Sequence, residues 1–329
     1  MKRTAGTTSN WKLSAIAGAL VCWFSVFTAL AQAQGSQGQD AVYNSLNGIV
    51  GSSAFIDANT FLNPATQGKD LCDTIFYIFT HNYPSAGAVI DARGVSGAAN
   101  LTCTHGSPWA EGSSYVTAPS TILLPATGGT TPTPIIISTP WILPSNTHLI
   151  GEGDGIPSSG FTPGTTIQAG TSFSGSMIQF GTAPPPSSPP ICPPVGSVYT
   201  CTGISVENLT LDGKGQSVNG ISNGYSQDGS YVNHVSLYQI RGVGLVIQGS
   251  AQGNASNSGP YSNITFDLGG NLGTSQTACA SLNGLSGTHG IHGLTCISGD
   301  NVSPAAVLLD SSNNSIEDLR IVGFYDGPS

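Results

Sequence analysis

Five segments in the second half of the chain repeat one order of apolar and polar positions. They are Val206 to Leu211, Val232 to Leu237, Tyr261 to Phe266, Ile291 to Cys296 and Ile316 to Ile321. Each reads apolar, polar, polar or Gly, apolar, polar, apolar. Their fourth positions are Leu209, Val235, Ile264, Leu294 and Leu319, separated by 26, 29, 30 and 25 residues. Recurrence at that period signals a repeat architecture. The alternation on either side of a short polar turn predicts two strands meeting at a bend. A third short run falls between segments, at Gly220-Ile221, Leu245-Val246-Ile247 and Val307-Leu308-Leu309. Three short strands per unit make a triangular coil, and coils stack about 4.8 Å apart through parallel hydrogen bonds. The expected fold is therefore all-β, a right-handed parallel β-helix. Inward columns should run through Leu209, Val235, Ile264, Leu294 and Leu319, and beside them Leu211, Leu237, Phe266, Cys296 and Ile321. Asn208, Asn263 and Asp318 share a column at the turn, interrupted by His234 and Gly293. Stacked amides there can bond from coil to coil.

Earlier runs fit the same scheme: Ile135 to Ile137, Trp141 to Leu143, His148 to Ile150, Thr165 to Gln168 and Met177 to Phe180. Seven prolines between Pro184 and Pro194 mark a surface loop. Between Asp70 and Thr80 the period changes. Leu71, Ile75, Ile78 and Phe79 recur at helical spacing, with Asp70 and Asp73 near the start, where carboxylates favour the helix dipole. The strand Ala88-Val89-Ile90-Asp91-Ala92 follows. A helix ahead of a coil array reads as an N-terminal α-helical cap, which shields the first coil's open edge. No helical stripe appears after residue 80, which argues against leucine-rich or α-solenoid repeats. The expected organisation is a signal peptide over 1–33, a flexible segment over 34–69 and a β-helix over 70–329 that is truncated or complete at its C-terminal side.

The signal peptide rests on Lys2, Arg3 and Lys12, an apolar stretch from Leu13 to Leu30, and the small-x-small run Ala31-Gln32-Ala33. Export and cleavage change the charge. Three of the eight Lys and Arg leave with the leader, so five face 17 Asp and Glu, a net charge of −12. That excludes a basic stripe for nucleic acid. It also disfavours strongly anionic polymers unless a cation such as Ca²⁺ bridges them. One of the seven cysteines, Cys22, lies in the leader. An even set in an exported chain suggests disulfides. Several connectivities are open, and spacing favours neighbours: Cys72 with Cys103, Cys192 with Cys201, and Cys279 with Cys296.

The stretch Ile142-Leu143-Pro144-Ser145-Asn146-Thr147-His148-Leu149-Ile150-Gly151-Glu152-Gly153-Asp154-Gly155, followed by Gly164-Thr165-Thr166-Ile167, resembles the pectate-lyase-like right-handed parallel β-helix superfamily. The helix over 70–80 and Ala88 to Gly94 are similar to that superfamily's cap. The resemblance spans roughly residues 70–329 and implies the fold. The superfamily includes polysaccharide lyases, glycoside hydrolases and proteins without enzymatic activity, so the fold leaves function open.

The Asn-Thr-Asp, Asp-Asp and Gly-His-Gly motifs of polygalacturonase-like enzymes are absent from the sequence. Asp212 and Asp267 each sit three residues past the repeat's fourth position, and Tyr238 holds that place on the coil between them. Arg241 follows shortly after, and Asp300 lies near the same edge of the next coil. In the folds this chain resembles, that edge borders the substrate cleft. Asp212, Asp267 and Arg241 are thus the catalytic candidates, and Tyr238 and Asp300 the substrate-binding ones. Each also has a plainer role: Asp212-Gly213 is a turn pair, Asp267 ends a strand, Asp300 begins a turn, and Arg241 pairs on the surface. His289 and His292 lack further ligands for a metal, and Gly151-Glu152-Gly153 lacks the helix and Lys of a phosphate loop. Two functions follow. One is a secreted carbohydrate-active β-helix, lyase-like or hydrolase-like, acting on or binding an extracellular polysaccharide, with Ca²⁺ as the cofactor such a site allows. The other is a non-enzymatic secreted surface or adhesion module.

Overall fold

The computed structural model describes residues 54–63, 68–82, 87–104, 106–112, 114–128, 132–156, 163–182, 191–192, 194–195, 198–248, 259–268, 278–283, 290–298, 306–309 and 315–323. All belong to the compact unit Ala54–Ser329. The expected signal peptide, the start of the segment over 34–69, His289 and Asp300 lie outside the described residues.

The chain winds as a right-handed parallel β-helix. Strands Ser205–Asp212, Tyr231–Tyr238, Tyr261–Asp267, Ile291–Ile297 and Ile316–Val322 stand side by side in a twelve-stranded sheet. Their parallel register pairs Leu209 with Val235, Val235 with Ile264, Ile264 with Leu294, and Leu294 with Leu319. The repeat read from the sequence is therefore the register of the fold. A six-stranded sheet closes each coil through Trp141–Leu143, Ser176–Phe180, Asn219–Asn223, Val243–Gln248, Ala278–Asn283 and Val307–Leu309. Ala278–Asn283 is a further third strand beyond those expected.

Each long strand bends at one residue with a left-handed backbone: Asn208 (φ 54°), His234 (52°), Asn263 (53°), Gly293 (72°) and Asp318 (55°). Asn and Asp tolerate this region and Gly occupies it freely, which explains the turn column's composition. The expected amide ladder is local rather than continuous. Asn263 Nδ2 donates to Asn233 Oδ1 at 3.0 Å and reaches His234 Nε2 at 3.5 Å.

Leu209, Val235, Ile264 and Leu294 are buried, with Leu211, Leu237, Phe266 and Cys296 beside them. Leu319 and Ile321 keep the register but are 40% and 49% exposed, so the expectation of a buried Leu319 is corrected. Among the described residues no further coil packs over that strand.

The cap forms at Leu71–His81. Asp70 caps it, accepting from the Asp73 N–H at 3.0 Å, while its other oxygen accepts from Thr104 N–H and Oγ1. Leu71, Cys72, Ile75, Ile78 and Phe79 form its buried face. Ahead of the helix, Ala54–Asp57 pairs in parallel with Ala88–Asp91, so sheet pairing begins within a stretch whose sequence shows little period.

The disulfides pair Cys72 with Cys103, Cys192 with Cys201, and Cys279 with Cys296, as the spacing favoured. The first ties helix to coil. The third joins a strand of each sheet across one coil, with Cα atoms 5.9 Å apart. Gly181 (φ 69°) lies against the second, where a Cβ would run into both sulfurs.

One polar network lies in the core. Asn223 Nδ2 donates to Ser226 O at 3.0 Å and to Tyr261 Oη at 2.8 Å, and Ser226 N–H donates to Asn223 Oδ1. Burial pushes the Tyr261 phenol well above its ordinary range. The folded state thus holds this proton more tightly than the unfolded state does. Its contribution to stability is present below about pH 10 and is lost as pH rises beyond it.

Two outcomes follow. Ile264→Ala should cost about 2–5 kcal/mol in urea denaturation, and Leu319→Ala clearly less because its side chain is already solvated. Denaturation repeated from pH 8 to 12 should show stability falling at the alkaline end, with a shallower fall in Tyr261→Phe. Equal costs for the two alanine variants contradict the difference in burial between Ile264 and Leu319, and parallel alkaline curves contradict the Tyr261 assignment.

Candidate functional site

The bend at the left-handed residue divides each strand's outward positions between two faces. On Ser205–Asp212, Ser205 and Glu207 lie before Asn208, and Thr210 and Asp212 after it. Because the strands are in register, each position becomes a row along the coil axis.

The row after the bend contains the expected site. Gln168 pairs with Asp212, Asp212 with Tyr238, and Tyr238 with Asp267. Three of the sequence candidates therefore stand on consecutive rungs, with Gln168 added on the rung before. Gln168 Nε2 donates to Asp212 Oδ2 at 2.6 Å, and the Lys214 N–H donates to Oδ1 at 2.8 Å. Both Asp212 oxygens are thus acceptors in use. Asp212 and Asp267 are only 8% and 7% exposed. Tyr238 is half-buried between them. Burial first, and then the negative charges of Asp212 and Asp267, push its phenol upward, so it remains a neutral hydroxyl. Gln239 Nε2 donates to that hydroxyl at 3.1 Å.

Arg241 lies three residues past Tyr238, where its backbone N–H donates to the Gln216 carbonyl. It stands after the turn, outside the register row. Asp212 and Asp267 are two rungs apart, about 9.5 Å at ordinary strand spacing. Among the described residues, the three-membered cluster of His, Cys, Asp or Glu that comes close enough for a metal is Asp70, Cys72 and Cys103, whose cysteines are disulfide-bonded. Among the described residues, Asp212 and Asp267 belong to no such cluster.

The segment Gly151 to Ile156 crosses this face as a strap. Gly155 exchanges two hydrogen bonds with Thr210 Oγ1, at 2.9 and 3.0 Å. Gly151 and Gly153 N–H groups donate to the Glu207 and Asn208 carbonyls. Ser236 Oγ donates to Asp154 Oδ2 at 3.0 Å. Ser236 is two residues before Tyr238 on one strand, so the strap brings a third carboxylate beside the row. At its other end Glu152 lies 3.7 Å from Arg93, which also pairs with Asp91 at 2.8 Å. Sequence reasoning missed Gln168 and Asp154. Gln168 was accessible, since Thr166-Ile167-Gln168 matches Thr210-Leu211-Asp212 in pattern. Asp154 lies in a loop and had no periodic signal.

No protein-family model matches the chain, and no curated protein matches it. Solved structures similar to it include the A-module of mannuronan C-5 epimerase AlgE4 from Azotobacter vinelandii, at 12% identity and TM-score 0.34. That match covers 82% of this chain and 68% of that one. The ORF18 protein of Geobacillus virus E2 is similar at 13% identity and TM-score 0.38, over 85% of this chain and 50% of that one. The A-module of mannuronan C-5 epimerase AlgE6 from Azotobacter vinelandii is similar at 15% identity and TM-score 0.28, over 82% and 67%.

Asp212→Ala should strand the Gln168 amide and the Lys214 N–H at a half-buried site. The expected cost is about 1–3 kcal/mol in urea denaturation. Gln168→Ala combined with it should cost less than the sum of the two single changes, because both remove one bond. Strict additivity contradicts the pairing.

Proposed function

We propose that the protein is exported and binds and cleaves a neutral polysaccharide laid along the coil axis. The carrying observation is the row Gln168, Asp212, Tyr238 and Asp267 on consecutive rungs. A linear glycan presents hydroxyls at intervals similar to a coil step, so successive rungs can each meet one sugar. The acidic balance favours an uncharged chain, or an acidic one bridged by Ca²⁺. The leader-like N-terminus and three disulfides support export.

The chemistry this row suits is inverting glycoside hydrolysis. That reaction needs two carboxyl groups about 6.5–9.5 Å apart, leaving room for a water. Two rungs separate the Asp212 and Asp267 backbones by about 9.5 Å, close to that range. Asp212, with donors on both oxygens, takes the part of the base that activates water. Asp267 is the acid that protonates the leaving oxygen. The Tyr238 hydroxyl between them holds the water or a sugar oxygen. Arg241 contacts the glycan beyond the row, and Asp300 is a further substrate-binding residue. In a lyase, Arg241 would instead be the base and a cation would hold the substrate's carboxylate.

The low exposure of Asp212 and Asp267 favours a second reading, a surface or adhesion module that holds the glycan without cleaving it. Mature protein incubated with glucans, mannans and xylans, with and without Ca²⁺, separates the two. Cleavage with inverted anomeric configuration by ¹H NMR, abolished in Asp212→Asn and Asp267→Asn, supports hydrolysis. Retention of glycan without new reducing ends supports the adhesion reading. Neither cleavage nor retention overturns both.

A further inference from the structure

The face before the bend carries a second polar constellation, independent of the glycan row. His148, Ser205 and Tyr231 occupy one register row on three adjacent strands. Glu207 lies two residues past Ser205 on the same outward face. Ser205 is fully buried, while His148, Glu207 and Tyr231 are half-buried. Ser205 Oγ donates to Glu207 Oε1 at 2.9 Å, and Tyr231 Oη donates to the same oxygen at 2.7 Å. His148 Nδ1 lies 2.9 Å from Ser205 Oγ.

These bonds fix the imidazole. The single Ser205 proton goes to the carboxylate, so Oγ can only accept from the histidine. Nδ1 therefore carries the proton and Nε2 presents its lone pair. Among the described residues the His148 ring has no other hydrogen-bond partner. Glu207, acting through Ser205, holds the imidazole in this orientation. Tyr231 remains a donor, since burial and Glu207 both push its phenol upward. An oriented imidazole whose second nitrogen has no partner among the described residues, with a carboxylate behind its serine, is the arrangement of a general base.

We propose that His148 is a general base that hydrolyses carboxylic esters through an activated water, with Ser205 and Glu207 as its positioning residues. The ester class follows from the chemistry. A glycoside needs a separate acid for its leaving oxygen, whereas one imidazole can perform both proton steps on an ester. Nε2 takes a proton from water as the water oxygen bonds to the acyl carbon. The bond from that carbon to the alcohol oxygen then breaks, and the alcohol oxygen takes the proton back from Nε2. A carboxylic acid and an alcohol leave, and no other reactant is consumed. Ser205 is too deeply buried to act as the nucleophile.

The full mature chain assayed with 4-nitrophenyl acetate at neutral pH tests this. His148→Gln should lower the rate by on the order of a hundredfold. Ser205→Ala and Glu207→Gln should give intermediate losses, with Glu207→Asp recovering part of the rate. His292→Gln, which removes a histidine paired with Glu317 elsewhere on the surface, should leave the rate unchanged. ¹⁵N NMR of the wild-type protein should show His148 protonated at Nδ1, and Ser205→Ala should shift that tautomer. Wild-type hydrolysis no faster than His148→Gln, or a wild-type tautomer protonated at Nε2, overturns the proposal. The tautomer measurement stands even where a variant fails to fold.

Discussion

The left-handed residue at the bend of each long strand controls what this molecule can do. Asn208, His234, Asn263, Gly293 and Asp318 each turn a strand through a bend without breaking its pairing to the next coil. The bend directs the positions before it and after it to different outer faces. Parallel register then repeats that division on each rung. A one-residue slip would exchange the buried and outward sets, placing Leu209 and Leu211 in water. The apolar columns thus hold the register, and the register aligns the polar rows.

The chemistry is unequal between faces. The twelve-stranded sheet carries Asp212, Tyr238 and Asp267 after the bend, and Glu207 and Tyr231 before it, with His148 beside them on the adjoining short strand. The six-stranded sheet offers Gln179, Ser222, Val246 and Ser281 along one outward row, with no acid or base among them. The strap from Gly151 to Ile156 seals part of the first face over Thr210 and Ser236, which confines access to the row beyond them.

How much of this was legible follows from which forces leave a local trace. Inward columns were readable because alternate positions must be apolar on each strand. The row of Asp212, Tyr238 and Asp267 came with them, since a fixed offset from an aligned residue is itself aligned. The exposure of Leu319 was not readable, because it depends on what packs outside the strand rather than on the strand's pattern. Ala278–Asn283 escaped notice because its small residues give little hydrophobic contrast. Ala54–Asp57 lay in a stretch of weak period, and its pairing with Ala88–Asp91 depends on a chain segment some thirty residues away. The His148 constellation was hidden for the same reason: His148 and Ser205 are 57 residues apart and meet through register alone. Asp154 reaches its place through a loop, where neither period nor spacing constrains position.

Amide chemical-shift mapping during titration with oligosaccharides of the neutral glycans tests the central claim most directly. The account predicts shifts along Gln168, Asp212, Tyr238 and Asp267, growing in number of rungs as the oligosaccharide lengthens. Shifts confined to a single coil, or centred on the six-stranded sheet, would contradict it.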